Sequence, residues 1–469
     1  MENILREFTA LNKIPRPSGH EEAVAAYLAQ RGRDMGYQVE TDGNLNVIYQ
    51  VPPSQGYETA PLTILQAHMD MVCVGGPDYN PETDPIATIR EDNTLRAVGT
   101  SLGADDGIGV ALILDFLTSG SPHGPLRILF TADEEEGMSG AAALAASYLD
   151  ASYLLNLDWE DIDSLCIGCA GFLTKEYSKK VEPITVSGQM LSLSIDGLRG
   201  GHSGTEIGDN RANAIKLMAQ FLGKLVANNI EFNLISLEGG RAVNVIPYSC
   251  QASIAVAANQ ADAVTQLFKA TEAEARGEFN REEALSFTLN SQEAQSQGYA
   301  WADSKAIALF LSQFPQGVKE YSPLIEDAVS LSANLAQISV GEKVTALVSY
   351  RSDIDAKMLA FAAQIAALGR EYGFDEIDLG MSPAWTPKAN SGLERVAIEE
   401  YGKLKSGQPK IESVHAGLEC SYFARKNPDL EMISLGPTVL WCHSVEEVLY
   451  LDTLPVARDW LRGIAARLK

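Results

Sequence analysis

No run in this chain approaches the roughly 20 consecutive apolar residues that a membrane-spanning helix requires. Basic residues are in deficit: 36 Lys and Arg face 62 Asp and Glu, a formal charge of −26. Phosphates would be repelled, so nucleic acid and anionic membrane are excluded as partners. Cysteine is sparse, with six positions scattered over 469 residues. That pattern excludes a disulfide scaffold and fits a reducing compartment. The opening Met1-Glu2-Asn3-Ile4-Leu5-Arg6-Glu7 lacks the basic region and apolar stretch of a secretion signal and reads as a first helical turn, so the expected location is the cytoplasm. Histidine is equally scarce, at six residues. A histidine beside an acidic cluster therefore carries information.

What remains is an ordinary globular composition, 46% apolar and 21% charged, in a chain long enough for two domains. Cys166-Ile167-Gly168-Cys169 has the spacing of half a zinc clip, but its apolar surroundings and the lack of a second pair nearby predict buried core residues. Apolar runs at Leu62–Leu65, Leu126–Phe130 and Tyr153–Leu157 alternate with helical patterns, among them Ile108–Leu117. Asp42-Gly43 marks a turn before a strand at Leu45–Tyr49, and Ser18-Gly19-His20-Glu21 resembles a capping box opening a helix that carries Val24, Tyr27 and Leu28.

From about Gln189 the texture becomes α+β. Strands are expected near 191–195, 232–237, 249–256, 285–289, 329–338 and 345–350, with helices near 212–226, 261–276, 304–313 and 356–372. The repeated order predicts two similar units. Beyond Pro383 and Pro387 the α/β texture resumes, with a buried strand at Glu431–Leu435 and a last helix at Asp459–Leu468. The expected fold is thus an α/β domain with a mostly parallel mixed sheet, spanning 1–187 and 383–469 and interrupted by an α+β insertion at 188–382.

Gln66-Ala67-His68-Met69-Asp70 and Thr131-Ala132-Asp133-Glu134-Glu135-Glu136-Gly137 each follow an apolar run, and Gly103-Ala104-Asp105-Asp106-Gly107 lies between them. Residues two apart share a strand face, so His68 and Asp70 can enter one cleft. Imidazole and carboxylate are donors of hydrolytic Zn²⁺, Mn²⁺ or Co²⁺ sites. The candidate ligands are His68, Asp105, Glu135, Asp158 and His443. The first four follow buried strands or open a helix, where open α/β sheets place their sites. Three carboxylates against one divalent ion leave a buried net charge of −1, whereas against two ions the balance is +1, which one hydroxide cancels. Two metals are therefore expected, with Asp105 shared, His68 and Asp158 on one ion, and Glu135 and His443 on the other. Asp70 would orient His68, and Glu134, diverging from its neighbour Glu135, would be the general base. Taken singly, these residues have plainer readings: Asp105-Asp106 suits a helix cap, and Asp-Glu-Glu-Glu a polar loop.

The set resembles the co-catalytic dizinc exopeptidases of the aminoacylase and carboxypeptidase group, and most closely the cytosolic aminoacyl-histidine dipeptidases. The resemblance spans nearly the whole chain. It rests on the motifs above together with Asn156-Leu157-Asp158, Gly200-Gly201-His202-Ser203-Gly204, His415-Ala416-Gly417-Leu418-Glu419-Cys420 and His443-Ser444. It implies a zinc-exopeptidase catalytic domain, a lid role for the insertion, and the same ligands and base. It also implies that His202 bonds the developing oxyanion. Asn244, Arg351 and Gly417 would hold the substrate backbone and carboxylate. Three places depart from the family pattern: Phe172 and Ser421 stand where glycines are expected, and Val439-Leu440-Trp441-Cys442 is bulkier than the usual stretch.

The expected reaction is hydrolysis of dipeptides with free termini, Xaa-His dipeptides included, by a homodimer, with a monomer as the alternative. The rival activities are an N-acyl-amino-acid deacylase or a tripeptidase on the same scaffold. A rival of another class is an inactive metal-retaining binding protein, against which the intact Glu134 speaks, since a binder has no use for a base.

Overall fold

The computed structural model describes residues Met1 to Lys469. Two compact units are formed, one from Met1–Gly168, Trp385–Ser413 and Leu418–Lys469, the other from Cys169–Ala384 and Val414–Gly417.

The first unit is built on an eight-stranded mixed sheet. Its centre is parallel: Leu126–Thr131, Thr63–His68, Tyr153–Asn156 and Glu431–Ser434 lie side by side in that order. Every residue of Thr63–His68 is buried, as a strand covered on both faces must be, which is why it reads as an unbroken apolar run up to Gln66. Helix Ala104–Thr118 is apolar around its whole circumference, and its residues from Gly107 to Phe116 are all buried. Because neighbouring strands run parallel, their carboxyl ends open onto one place. Four further short strands form a second sheet, and there Val439–Leu440 pairs antiparallel with Val448–Tyr450. His443 therefore sits in the loop of a hairpin, a location that the apolar pattern alone leaves undefined.

The capping box expected at Ser18–Glu21 does not form. The helix runs Glu22–Asp34 with Glu21 at its N-cap and no side-chain cap. Ser18 Oγ instead donates to Asp70 Oδ2 at 2.7 Å, and Glu21 Oε1 accepts from the N–H groups of Gly19 and Asp133. A box does occur at Ser391 and Glu394, opening helix Gly392–Leu404.

The second unit holds a nine-stranded sheet with Pro183–Asp196, Cys250–Val256, Phe232–Gly239, Val329–Val340 and Lys343–Ser352 at its centre. Helices Ala214–Ala227, Ala261–Glu278, Trp301–Gln313 and Asp355–Glu371 supply an aromatic core in which Phe221 and Phe268 meet edge to face at 4.9 Å. The order of elements in this insertion differs from the simple repeat expected. The strand expected near 285–289 runs Ser286–Tyr299 and pairs with Pro183–Asp196, so it belongs with the first expected half of the insertion and does not open the other half. The place beside Lys343–Ser352 is taken by Gly171–Lys180, a strand that precedes both expected halves. The long register of fourteen paired residues holds Ser286–Tyr299 where it is.

Candidate active site

Three strand ends, the first turn of helix Ala104–Thr118 and a hairpin loop bring the sequence-predicted donors of the first unit together. His68, the last residue of its strand, turns Nε2 to within 3.0 Å of Asp105 Oδ1 and 3.4 Å of Asp158 Oδ1. His443 Nε2 lies 3.0 Å from Asp105 Oδ2 and 2.9 Å from Glu135 Oε2. The two oxygens of Asp105 thus face different imidazoles, with Asp158 on one side and Glu135 on the other. Donor atoms of His68, Asp105 and Asp158, and those of Asp105, Glu135 and His443, form two groups whose members all lie within 4.8 Å of one another.

Asp70 is fully buried and organises this loop. It lies 3.4 Å from His68 Nδ1, and accepts from the N–H groups of Glu134 at 3.1 Å and Glu135 at 3.2 Å. Burial alone would raise its pKa, yet His68, Ser18 and the Glu134 N–H hold it below the usual carboxylate value. Burial drives Glu134 the other way, well above the ordinary range, and the carboxylates of Asp158, Glu135 and Glu419 add to that rise.

The donor set fits divalent cations. Glu135 Oε1 is buried and accepts no hydrogen bond. Carboxylates crowd two imidazoles with no lysine or arginine paired to them, an arrangement that is costly unless cations fill it. Imidazole and carboxylate oxygens suit Zn²⁺, Mn²⁺ or Co²⁺ alike.

His202, Asn244, Arg351 and Gly417 belong to the second unit. His202 Nδ1 accepts from the Thr205 N–H at 3.2 Å, which puts the ring proton on Nε2. Arg351 Nη2 lies 3.4 Å from Nε2. Burial, reinforced by Arg351, lowers the His202 pKa to about 4, so a neutral ring with an Nε2–H donor persists through neutral pH. Asn244 is exposed, and its carbonyl accepts from the Ser203 N–H at 2.8 Å. Gly204 cannot be another residue: a Cβ there would stand 2.4 Å from the His415 carbonyl and 2.9 Å from His202 Cε1.

The departures from the family pattern now have surroundings. Phe172 is the cross-strand partner of Arg351, and its ring lies 4.5 Å beneath the guanidinium, a cation–π contact that fixes the arginine. Ser421 is buried in helix Cys420–Lys426. Trp441 is 58% exposed in the His443 loop. Cys166 and Cys169 are buried in strand Ser164–Cys169.

His415 escaped the sequence reading as anything but a motif member. It is buried, with Nε2 2.7 Å from Ser332 Oγ. Burial and Arg351 lower its pKa to about 3 from the ordinary 6.5. Between those values the unfolded chain takes up a proton that the folded chain refuses. The stability this neutral ring provides is complete above pH 6.5 and declines as pH falls, by at most about 1.4 kcal/mol per unit. The thermal midpoint of the native chain should therefore drop further between pH 7 and pH 5 than that of His415→Asn; equal drops would contradict this.

Residues 193–283 match the peptidase dimerisation domain and residues 46–164 match peptidase family M28. The cytosol non-specific dipeptidase of Escherichia coli is 33% identical over 458 residues, which cover 95% of this chain and 93% of that protein. An aminoacylhistidine dipeptidase from Vibrio alginolyticus superposes on 100% of this chain and 96% of its own, with TM-score 0.93 and 31% identity. The chain belongs to the aminoacylhistidine dipeptidase family. It is accordingly a metal-dependent peptide hydrolase with the family's catalytic domain and α+β insertion. The aminopeptidase PepT of Bacillus cereus, at 16% identity and TM-score 0.57 over 100% of this chain and 98% of its own, shares the fold.

Proposed function

We propose that the protein hydrolyses dipeptides with free amino and carboxyl termini, Xaa-His dipeptides among them, with two divalent cations held by His68, Asp105, Glu135, Asp158 and His443. The observation that carries the reading is the division of Asp105, one oxygen toward His68 and the other toward His443. Zinc is the favoured metal for such donors, with Mn²⁺ or Co²⁺ as functional substitutes. Bound there, the ions would lower the pKa of a water to about 7 and polarise the scissile carbonyl.

The remaining chemistry falls to side chains. Asp70, 3.4 Å from His68 Nδ1, faces that nitrogen and so keeps Nε2 directed at the donor cluster. Glu134 takes the proton of the attacking water and returns it to the leaving amine. Neutral His202 donates its Nε2–H to the oxyanion. Arg351, stiffened by Phe172, pairs with the substrate carboxylate, while Asn244 and the Gly417 backbone hold the rest of the peptide. His202→Ala should cost about 10²–10³ in kcat, by analogy with loss of other oxyanion donors, with little change in metal content. A variant with native kcat would remove His202 from this role.

The match to a dimerisation domain supports a homodimer, and the cytosolic relative supports a cytoplasmic address. No helix is long and apolar enough to cross a membrane. The deciding experiment is hydrolysis of a panel of Xaa-His, non-histidine and N-acetylated dipeptides, with and without chelator. Free dipeptides should be cleaved and the reaction should stop with chelator. Preference for the acetylated set would turn the assignment to a deacylase.

A further inference from the structure

The turn carrying Asp105 is gripped from two sides by different groups. On its N–H side the Glu447 carboxylate accepts from the backbone N–H groups of Leu102 at 2.7 Å, Gly103 at 3.0 Å, Ala104 at 2.8 Å and Asp105 at 3.3 Å. On its carbonyl side Arg16, only 1% exposed, donates to Gly103 O at 2.6 Å, to Asp70 O at 3.0 Å and to Met69 O at 3.2 Å. Asp106 adds a further tie, accepting from the His68 N–H at 3.2 Å. Arg16 and Asp106 thus fasten the turn to the strand of His68. Glu447 fastens it to the loop of His443.

That loop otherwise meets Asp105 through His443 itself and through Glu160, which bonds both Cys442 and Asp105. His443 is about half exposed, and both Trp441 and His443 hold left-handed φ values of 57° and 61°. Non-glycine residues stay in that region only where their surroundings enforce it. The hairpin below them pairs through only two residues of its first strand. Arg96 reaches the Glu446 carbonyl at 2.9 Å, but it comes from the neighbouring strand Thr94–Ala97 and not from the Asp105 turn.

We infer that Glu447 is a positioning residue that sets the separation of His443 from Asp105, and with it the affinity of the metal position that these two share with Glu135. The inference rests on the ligand reading proposed above. Glutamine in this place would turn an NH₂ group toward two of the four N–H donors, and at 2% exposure Glu447 is shielded from the bulk solvent that would replace the lost acceptor. The tie to His68 does not pass through Glu447, so the loss should fall on one ion.

The test is calorimetric titration of metal-free native protein and of Glu447→Gln with Zn²⁺ alone, without substrate. The native protein should take up two equivalents. The variant should keep one near native affinity and bind the other about 10–100-fold more weakly, the usual effect of losing a group that orients a ligand. Two equivalents of native affinity in the variant would overturn the inference, and so would parallel weakening of both. Should Glu447→Gln not fold, Glu447→Asp, with its carboxylate drawn back, should weaken the same equivalent to a lesser degree, and an unchanged titration would overturn the inference equally. Uptake of a single ion by the native protein would instead count against the metal pair itself.

Discussion

Replacing Glu134 with Gln should lower kcat by about 10²–10⁴-fold, the usual contribution of a general base, while both metal equivalents are still bound. The separation of the two effects follows from the loop. Asp70 holds the N–H groups of Glu134 and Glu135 with its two oxygens. Glu135 Oε2 lies 2.9 Å from His443 Nε2, a contact in which Glu134 takes no part, while Glu134 keeps a carboxylate oxygen within 4.8 Å of donor atoms of His68 and Glu135. Glutamine keeps the size and the anchoring N–H but cannot take up a proton. KM should change little, because the group acts as bonds are made and broken and not in holding the peptide. Native turnover in the variant would remove Glu134 as the base, whereas loss of metal would make it a ligand.

Asp105→Ala should act at both metal positions. Its two oxygens meet His68 and His443 separately, so removing the carboxylate takes a donor from each group at once. The remaining donors would be His68 with Asp158 and Glu135 with His443, and neither pair closes a site. Metal uptake should fall from two equivalents toward none. Turnover should fall at least about 10³-fold, since several kcal/mol of transition-state stabilisation depend on the ions. Loss of one equivalent alone would show that Asp105 is not shared.

The site was more legible than the fold around it, and the reason is local. His68, Asp105, Glu135 and Asp158 each follow an apolar run or open an apolar helix, and those runs are buried because they form the sheet centre. Strand Ser286–Tyr299 was legible only in its first residues. It is an edge strand whose middle is exposed, so Asn290 to Gln297 carry no alternation that a sequence could display. Strand Gly171–Lys180 was missed for a related reason, since Lys175 and Glu176 interrupt its apolar pattern and pair with charges across the sheet. Glu447, Arg16 and Ser18 act through contacts between residues distant in the chain, and Glu447 meets the Asp105 turn across more than 340 positions. Spacing within a motif says nothing about such partners. Ser18 even mimicked a helix cap, because a hydroxyl three residues before a glutamate looks alike whether it bonds a backbone N–H or a distant aspartate.

The most direct measurement is the diffraction of crystals grown with Zn²⁺, recorded on the two sides of the zinc absorption edge. Two anomalous peaks are expected, one bounded by His68 and Asp158 and the other by Glu135 and His443, with an Asp105 oxygen against each. A single peak, or peaks away from Asp105, would contradict the account.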